Sequence, residues 1–265
     1  MSSSSVPKSA EQSPDRATPL ILFVSDLHLA PQAPGAARLF LEFLGGRARA
    51  AEQLFILGDL FEVWPGDDCI DDPDERFNAG IVEALRALGA SGVAISVMHG
   101  NRDFLLGAAF CARSGARLLP DPYVLSLPAW QFVLAHGDAL CTDDSDYQKF
   151  RAQVRDPAWR SDFLAKPLAD RKAIASVLRR QSESSKREKA QSLMDVNPGT
   201  TDDFIRAHGY ATFIHGHTHR AATHDHMVDG IHVERWVLGD WHEDRGDCLV
   251  WDGETLRREA VLPEK

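Results

Sequence analysis

The sequence is poor in cysteine and contains no long apolar run. Its four cysteines, Cys69, Cys111, Cys141 and Cys248, stand far apart, and no two of them form a C-x-x-C pair. This spacing argues against a disulfide framework and against a Cys-rich structural zinc site. No stretch approaches the roughly 18 consecutive apolar residues that a membrane-spanning helix needs. Residues 1–18 combine Ser, Pro and charge without an apolar core, so we expect a cytosolic protein with reduced thiols, neither secreted nor transmembrane.

Positive charge is also scarce, because the formal net charge is -10, and this argues against a general nucleic-acid-binding protein. Residues 149–189 depart from that balance with twelve Lys or Arg and five Asp or Glu, a local excess of +7. An anionic membrane surface is a candidate partner for this segment, because each Lys or Arg near such a surface contributes about 1 kcal/mol. The sequence gives no sign of a protein partner.

Short runs rich in β-branched and aromatic residues alternate with stretches of helical period in the first half of the chain. The predicted strands are 20–25, 53–57, 93–98, 131–135, 211–214, 231–238 and 248–251, and the predicted helices between the early ones are 36–50, 74–88 and 104–114. This alternation predicts a layered α/β protein. The later strands follow one another with fewer helices, which indicates a second, partly antiparallel sheet packed on the first.

The strand signal disappears over residues 143–197, where helix-forming residues dominate. We therefore predict a disordered tail over 1–18, a core formed by 19–142 and 198–265, and a helical cap insertion over 143–197. Apolar residues at helical spacing in the insertion either line a groove or pack on the core, and both alternatives stay open. They are Phe150, Trp159, Phe163, Leu164, Leu168, Ile174, Val177 and Leu178.

Five short motifs carry most of the chain's potential metal ligands, and most follow directly on a predicted strand. They are Asp26-Leu27-His28, Gly58-Asp59, Gly100-Asn101-Arg102-Asp103, His136-Gly137-Asp138 and Gly216-His217-Thr218-His219. In α/β sheets, loops at the carboxyl ends of strands converge, so these side chains can meet in space. Carboxylate, amide and imidazole ligands without thiolate suit Mn²⁺, Mg²⁺, Fe or Zn²⁺. The set is too large for one ion, and Asp59 is the candidate for a carboxylate shared by two ions.

Each motif alone is a weak signal. A buried His often bonds a backbone carbonyl, Asn101 is a common type of turn residue, and Asp103 is predicted to cap a helix that starts at Phe104. The occurrence of all five motifs in order, at strand ends, favours the metal site.

In this order the motifs resemble those of the calcineurin-like metallophosphoesterases, whose pattern is D-x-H, G-D, G-N-[H/R]-[D/E], H and G-H-x-H. The resemblance implies a two-sheet α/β sandwich that holds two metal ions. It assigns the first ion to Asp26, His28, Asp59 and His219, and the second ion to Asp59, Asn101, His136 and His217.

Longer segments are similar to one bacterial family of this superfamily, the UDP-2,3-diacylglucosamine hydrolases of lipid A synthesis. They are GDLFEVWPGDD (58–68), GNRDFLLG (100–107), AHGDALCT (135–142), MDVNP (194–198), HGHTH (215–219) and LGDWH (238–242). The likeness runs from about residue 20 to about residue 261. It implies two Mn²⁺ ions, peripheral association with the cytoplasmic face of the inner membrane, and hydrolysis of UDP-2,3-diacylglucosamine to UMP and 2,3-diacylglucosamine 1-phosphate.

The same resemblance implies which residues contact substrate. They are Asn101, Arg102, Asp144, Ser182, Lys186, Lys189 and His217. Lys186 falls where some relatives have Asn, so the contact there would differ in kind. Lys186 and Lys189 could instead belong to a solvated helix face.

The expected catalytic residues are Asp59, Asn101, Arg102 and His217, with attack of metal-activated water on the uridine-side phosphorus. Many phosphomonoesterases of the superfamily carry His in place of Arg102, where it can protonate an alkoxide leaving group. A phosphate leaving group, with a last pKa of about 6, hardly needs that proton. Arg102 can therefore act as a fixed positive charge, which fits cleavage of a diphosphate.

Two other functions are compatible with the sequence. One is a soluble nucleotide or CDP-alcohol pyrophosphatase with the same dimetal chemistry and no acyl-chain pocket. The other is a non-catalytic scaffold that keeps the fold as a binding surface, against which the intact ligand set argues.

Overall fold

The computed structural model describes residues 20–73, 76–188 and 195–263, and for residues 181–188 it describes the backbone. The predicted tail therefore lies outside the described residues. The first half of the chain contains β1 (Ile21–Val24), α1 (Pro34–Gly45), β2 (Gln53–Ile56), α2 (Arg76–Ala90), β3 (Ala94–Met98), α3 (Ala108–Ser114), β4 (Arg117–Leu119), β5 (Tyr123–Ser126) and β6 (Gln131–Ala135). The second half contains α4 (Ser145–Arg155), α5 (Pro157–Leu164), α6 (Leu168–Glu188), α7 (Pro198–Ala207), β7 (Thr212–His215), β8 (Ala222–Val228), β9 (Ile231–Val237), β10 (Gly246–Trp251) and β11 (Leu256–Val261).

The strands form two sheets. One sheet has the order β11-β10-β1-β2-β3-β4, and the other has the order β5-β6-β7-β9-β8. Strands β1 to β4 run parallel to one another, and so do β6, β7 and β9 at the centre of the second sheet. Antiparallel strands complete both sheets. The predicted two-sheet α/β sandwich is confirmed.

Strand β1 shows how the sequence produces these layers. All four of its residues are buried, and successive side chains point to opposite faces of the sheet. Phe23 faces the second sheet, where its ring lies 5.8 Å from the ring of Phe132, whereas Leu22 packs on the opposite side in the cluster that includes α1 and α2. A strand that is covered on both faces reads as a continuous apolar run, as ILFV does.

All seven predicted strands are present, and the four strands that the sequence did not predict are β4, β5, β8 and β11. These four occupy the outer edges of the two sheets. An edge strand has solvent on one side, so its apolar signal is weak, as in β8 (ATHDHMV).

The predicted helix over 104–114 begins later, at Ala108, and the prediction that Asp103 caps it is wrong. Asp67 caps this helix instead, because its carboxylate accepts hydrogen bonds from the backbone N–H groups of Gly107 and Phe110, each at 3.0 Å. Asp103 is fully buried, and its carboxylate accepts hydrogen bonds from Gly100 in its own loop and from Leu60 in the loop after β2.

Helices α4, α5 and α6 occupy most of the segment predicted as a cap, up to the last described residue before the gap. The division of the chain into core and cap stays a prediction. Across the described ranges, no helix combines the length and the apolar character needed to cross a bilayer.

Candidate metal centre

The side chains of the five motifs meet at one end of the two sheets. Asp26 and His28 follow β1, Asp59 follows β2, and Asn101 follows β3. His136 follows β6 in the second sheet, and His217 and His219 follow β7. All five strands belong to the parallel parts of the sheets, so their carboxyl ends point the same way within each sheet. The structure therefore brings all seven predicted ligands together.

Four of these residues form a first cluster. The Nε2 atoms of His28 and His219 lie 3.1 Å apart, and His219 Nε2 lies 3.4 Å from Asp26 Oδ1. Asp59 Oδ2 lies 3.7 Å from His28 Nε2. Asp26 Oδ1 is buried and has no hydrogen-bond partner within the described part of the chain. Because a buried carboxylate oxygen needs a partner, this arrangement fits a cation.

The remaining ligands form a second cluster beside the first. Asn101 Oδ1 lies 3.1 Å from His136 Nε2 and 2.9 Å from His217 Nδ1. Asp59 presents its other oxygen here, with Oδ1 at 3.8 Å from His136 Nε2. One carboxylate thus faces both clusters, which is the arrangement expected of a ligand shared by two ions.

The backbone is strained where the ligands sit. Positive φ angles are found at Asp26 (54°), His28 (48°), Asp59 (53°), His217 (69°) and His219 (57°). Among the described residues other than glycine, only Tyr210 and Asp229 share this feature. Such conformations are costly for residues with a Cβ atom and cluster at functional sites. The left-handed backbone turns these side chains toward a common point.

Two glycines allow the loops to approach closely. A Cβ atom on Gly100 would overlap the carboxylate of Asp59, and one on Gly216 would overlap the carboxylate of Asp26. Substitution by any other residue at either position would displace a candidate ligand.

Further carboxylates hold the two histidines of the first cluster. Glu62 Oε2 lies 2.8 Å from His28 Nδ1, and Asp240 Oδ2 lies 3.2 Å from His219 Nδ1. A carboxylate beside Nδ1 favours the proton on that nitrogen and leaves Nε2 free to bind a metal. Sequence reasoning missed both roles, although Glu62 lies in GDLFEVWPGDD and Asp240 in LGDWH.

The charges in the two clusters favour a cation. Burial lowers the pKa of His219, but the neighbouring carboxylates of Asp240 and Asp26 outweigh this effect and raise the pKa to about 10. Burial likewise opposes protonation of His136, and the charges of Asp59, Asp138 and Asp26 raise its pKa to about 9. In the metal-free chain, protonated histidines therefore supply the positive charge that the carboxylates require.

Asp103 holds together two loops that carry ligands of the second cluster. Its Oδ2 accepts hydrogen bonds from the N–H groups of Leu60 at 2.8 Å and Phe61 at 3.3 Å, and its Oδ1 accepts one from Gly100 at 2.8 Å. These bonds tie the loop that carries Asp59 to the loop that carries Asn101. Burial and the charge of Asp59 raise the pKa of Asp103 to about 6.

Arg102 lies beside the first cluster, where its Nη1 is 3.7 Å from Glu62 Oε1. Its backbone N–H donates to Asp59 Oδ1 at 2.8 Å. Its Nε is buried and lacks a hydrogen-bond partner among the residues described. This donor is available to an oxygen of a bound anion.

The other predicted substrate contacts are not brought to the clusters by the described contacts. Asp144 caps α4, and its Oδ1 accepts the Tyr147 N–H at 3.1 Å. Ser182 and Lys186 lie on α6, where the structure describes the backbone, and Lys189 lies outside the described residues. These four assignments stay predictions.

Asp138 connects α4 to the second cluster. Its Oδ2 accepts hydrogen bonds from the hydroxyl of Tyr147 at 2.7 Å and from Nε of Arg151 at 2.8 Å. The ring of Tyr147 stacks on His217 at 5.8 Å between centroids. Arg155 donates to the carbonyl of Gly100 at 3.1 Å. The helical segment is thus in direct contact with the candidate metal ligands.

Helix α6 approaches the first cluster, because Arg179 Nε lies 3.1 Å from Glu62 Oε1. Of the eight apolar residues noted in the segment, Phe150 and Leu178 are half-buried, and the other six divide into two groups. Trp159, Phe163, Leu168 and Ile174 pack on the main core, whereas Leu164 and Val177 remain exposed. Packing on the core therefore accounts for half of the eight residues noted in the sequence.

Comparison with known proteins shows the family to which the chain is similar. The profile of the calcineurin-like phosphoesterases matches residues 19–221. A protein of Aromatoleum aromaticum named UDP-2,3-diacylglucosamine hydrolase is 52% identical over 88% of this chain and 93% of its own length. A protein of the same name from Chromohalobacter salexigens is 46% identical over 85% of this chain and 90% of its own length. Among solved structures, a dimetal phosphatase from Danio rerio is 14% identical, with a TM-score of 0.47, over 94% of this chain and all of that protein.

Proposed function

Since the chain belongs to the calcineurin-like phosphoesterase family and, within it, to the UDP-2,3-diacylglucosamine hydrolases, we propose that it hydrolyses UDP-2,3-diacylglucosamine to UMP and 2,3-diacylglucosamine 1-phosphate. The observation that carries this proposal is the position of Asp59, with one oxygen toward each ligand cluster. A site for two ions about 3.5 to 4 Å apart is the recurring device for displacement at phosphorus.

The donor set fits two divalent ions, and we propose that they are Mn²⁺. Asp26, His28, Asp59 and His219 would hold the first ion, and Asp59, Asn101, His136 and His217 would hold the second ion. When bound, two such ions lower the pKa of an attacking water and neutralise charge on the phosphoryl oxygens. Mn²⁺ is one of the divalent metals that carboxylate, amide and imidazole donors without thiolate suit.

Arg102, Asn101 and His217 orient the diphosphate. The buried and unpartnered Nε of Arg102 is a donor for a phosphate oxygen, and Glu62 holds the guanidinium beside the first cluster. A fixed positive charge in a buried site stabilises negative charge that develops during cleavage. The departing sugar 1-phosphate needs no proton donor, so a histidine at this position is unnecessary.

Helices α4 to α6 form the proposed cap that holds the acyl chains. Two contacts that reach the metal-site loops support this role, those of Asp138 with α4 and of Glu62 with α6. Leu164 and Val177 keep 40% and 43% of their surface exposed, which leaves apolar area for a ligand. The excess of positive charge over residues 149–189 supports peripheral binding to the cytoplasmic face of the inner membrane.

The test compares turnover of two substrates by the full chain with Mn²⁺. UDP-2,3-diacylglucosamine should give a much higher kcat/KM than unacylated UDP-glucosamine, because binding energy of the remote chains positions the diphosphate. Equal values would favour the soluble pyrophosphatase. Release of no UMP from either substrate would favour the non-catalytic scaffold.

A further inference from the structure

Behind the second cluster lies a buried arginine that no part of the proposed mechanism uses. Arg235 is on β9 and exposes only 7% of its surface. Its Nη1 lies 3.0 Å from Nε2 of His215, and its Nε lies 3.0 Å from Nε2 of His226. In the described part of the chain, no carboxylate forms an ion pair with it. A buried charge is costly unless it is paired, so an arginine whose buried donors bind two histidines requires an explanation.

The contact with His215 fixes where the proton of that ring lies. A guanidinium can only donate, so Nε2 of His215 must accept. The neutral ring then carries its proton on Nδ1, which lies 2.8 Å from the carbonyl oxygen of Gly216 and donates to it. Arg235 therefore sets the tautomer that allows His215 to bind this carbonyl.

The carbonyl of Gly216 belongs to the turn that carries His217. It also accepts the Thr218 N–H at 2.9 Å, and His217 between them has a φ of 69°. A bond between residues two apart around a positive φ defines a strained form of γ-turn. The turn aims His217 Nδ1 at Asn101 Oδ1, 2.9 Å away. A second donor to the Gly216 carbonyl stabilises a conformation that the backbone disfavours.

We propose that Arg235 is a positioning residue for the second ion, because through His215 it holds the strained turn that presents His217. The inference rests on the dimetal centre of the proposed function. His217 is not a ligand of the first cluster, although its backbone N–H donates to Asp26 Oδ2 at 2.8 Å. Changes at Arg235 should therefore weaken the first ion less than the second ion.

The experiment titrates the full chain, stripped of metal by a chelator, with Mn²⁺ in a calorimeter. Arg235→Met should weaken binding of the second ion by about tenfold to a hundredfold, as removal of outer supporting groups does elsewhere. The affinity for the first ion should fall clearly less, because the turn reaches the first cluster through one backbone hydrogen bond to Asp26. In electron paramagnetic resonance at limiting Mn²⁺, the wild type should show a spin-coupled Mn²⁺ pair and Arg235→Met should show none. Arg206→Met, which removes an exposed arginine paired with Asp229, is the control and should change neither ion.

Two further variants separate positioning from folding. Arg235→Lys keeps the charge and one donor, and it should weaken the second ion less than Arg235→Met. His215→Asn retains a donor for the Gly216 carbonyl that does not depend on Arg235. In that background Arg235→Met should cost less than about threefold in affinity, because the two residues act through one contact.

Equal weakening of both ions by Arg235→Met, or no weakening of either, would overturn the inference while the proposed function stands. The inference would also be overturned if Arg235→Met weakened binding of the second ion as much in the His215→Asn background as in the wild type. A wild-type chain that binds fewer than two Mn²⁺ ions would overturn the dimetal centre and the inference with it.

Discussion

Replacing Asp103 should show how strongly one buried carboxylate supports the metal-site loops. Asp103→Ala removes the acceptor for the N–H groups of Leu60 and Gly100, both at 2.8 Å, and for the longer bond from Phe61. All of these groups are buried. A buried donor left without a partner costs about 1 to 3 kcal/mol. The two short bonds therefore predict a loss of about 2 to 6 kcal/mol in the free energy of unfolding.

The assay is urea unfolding of the metal-free chain, because bound metal would hide part of the loss. Asp252→Ala is the matched control. Its carboxylate also accepts two backbone N–H bonds, from Glu254 at 3.1 Å and Thr255 at 2.9 Å, but these groups are exposed. Water can replace that carboxylate, so the control should lose no more than about 1 kcal/mol.

Asp103→Asn should lose an amount of unfolding free energy between the losses of Asp103→Ala and Asp252→Ala. Its amide oxygen can accept one set of the hydrogen bonds, but its NH₂ group faces a donor. A loss in Asp103→Ala no larger than in the control would refute the idea that this carboxylate ties the two loops together. A large loss in the control would show that exposure does not protect such bonds.

Three further predictions follow from the candidate centre. Chelation should abolish UMP release, and added Mn²⁺ should restore it in the wild type. It should not restore UMP release in Asp59→Ala, because this variant lacks the ligand shared by both ions. Full activity of the variant would contradict a dimetal site. Mn²⁺ binding at about pH 7.5 should release protons. His136 and His219 have pKa values of about 9 and 10, so both rings are protonated at this pH in the metal-free chain. Each ring must lose a proton before it can bind metal. Calorimetry in two buffers of different ionisation enthalpy measures this release, and identical heats would contradict it. Lys189→Ala should lower kcat/KM on the diacylated substrate by about tenfold to a hundredfold, which is the effect expected from loss of one charge-assisted hydrogen bond. The affinity for Mn²⁺ should stay unchanged. An unchanged kcat/KM would show that Lys189 does not contact the substrate.

The strands at the centre of each sheet are predictable from the sequence because burial on both faces forces a run of apolar residues, as in β1 and β2. The edge strands are not. In β8 and β11 the partner strand covers one side only, and polar side chains such as those of His224 and Arg257 are tolerated. Their pairing depends on contacts with β9 and β10 that are not encoded in their own composition.

The metal ligands were accessible to sequence reasoning because they lie in short motifs at the ends of central strands. The groups that hold them were not. Asp103 has the sequence position of a helix cap, yet its carboxylate accepts the N–H groups of Leu60 and Phe61, which lie 43 and 42 residues earlier in the chain. Arg235 stands in an ordinary strand, and only the register of β9 against β7 brings it to His215. Such partners come from tertiary contacts, which no local pattern records.

The central claim is that this chain cleaves the diphosphate of UDP-2,3-diacylglucosamine by attack of water on the uridine-side phosphorus. The most direct measurement is the mass of both products after reaction of the full chain with this substrate and Mn²⁺ in ¹⁸O-labelled water. The account predicts labelled UMP and unlabelled 2,3-diacylglucosamine 1-phosphate. Label in the sugar 1-phosphate would contradict the direction of attack, and absence of UMP would contradict the activity itself.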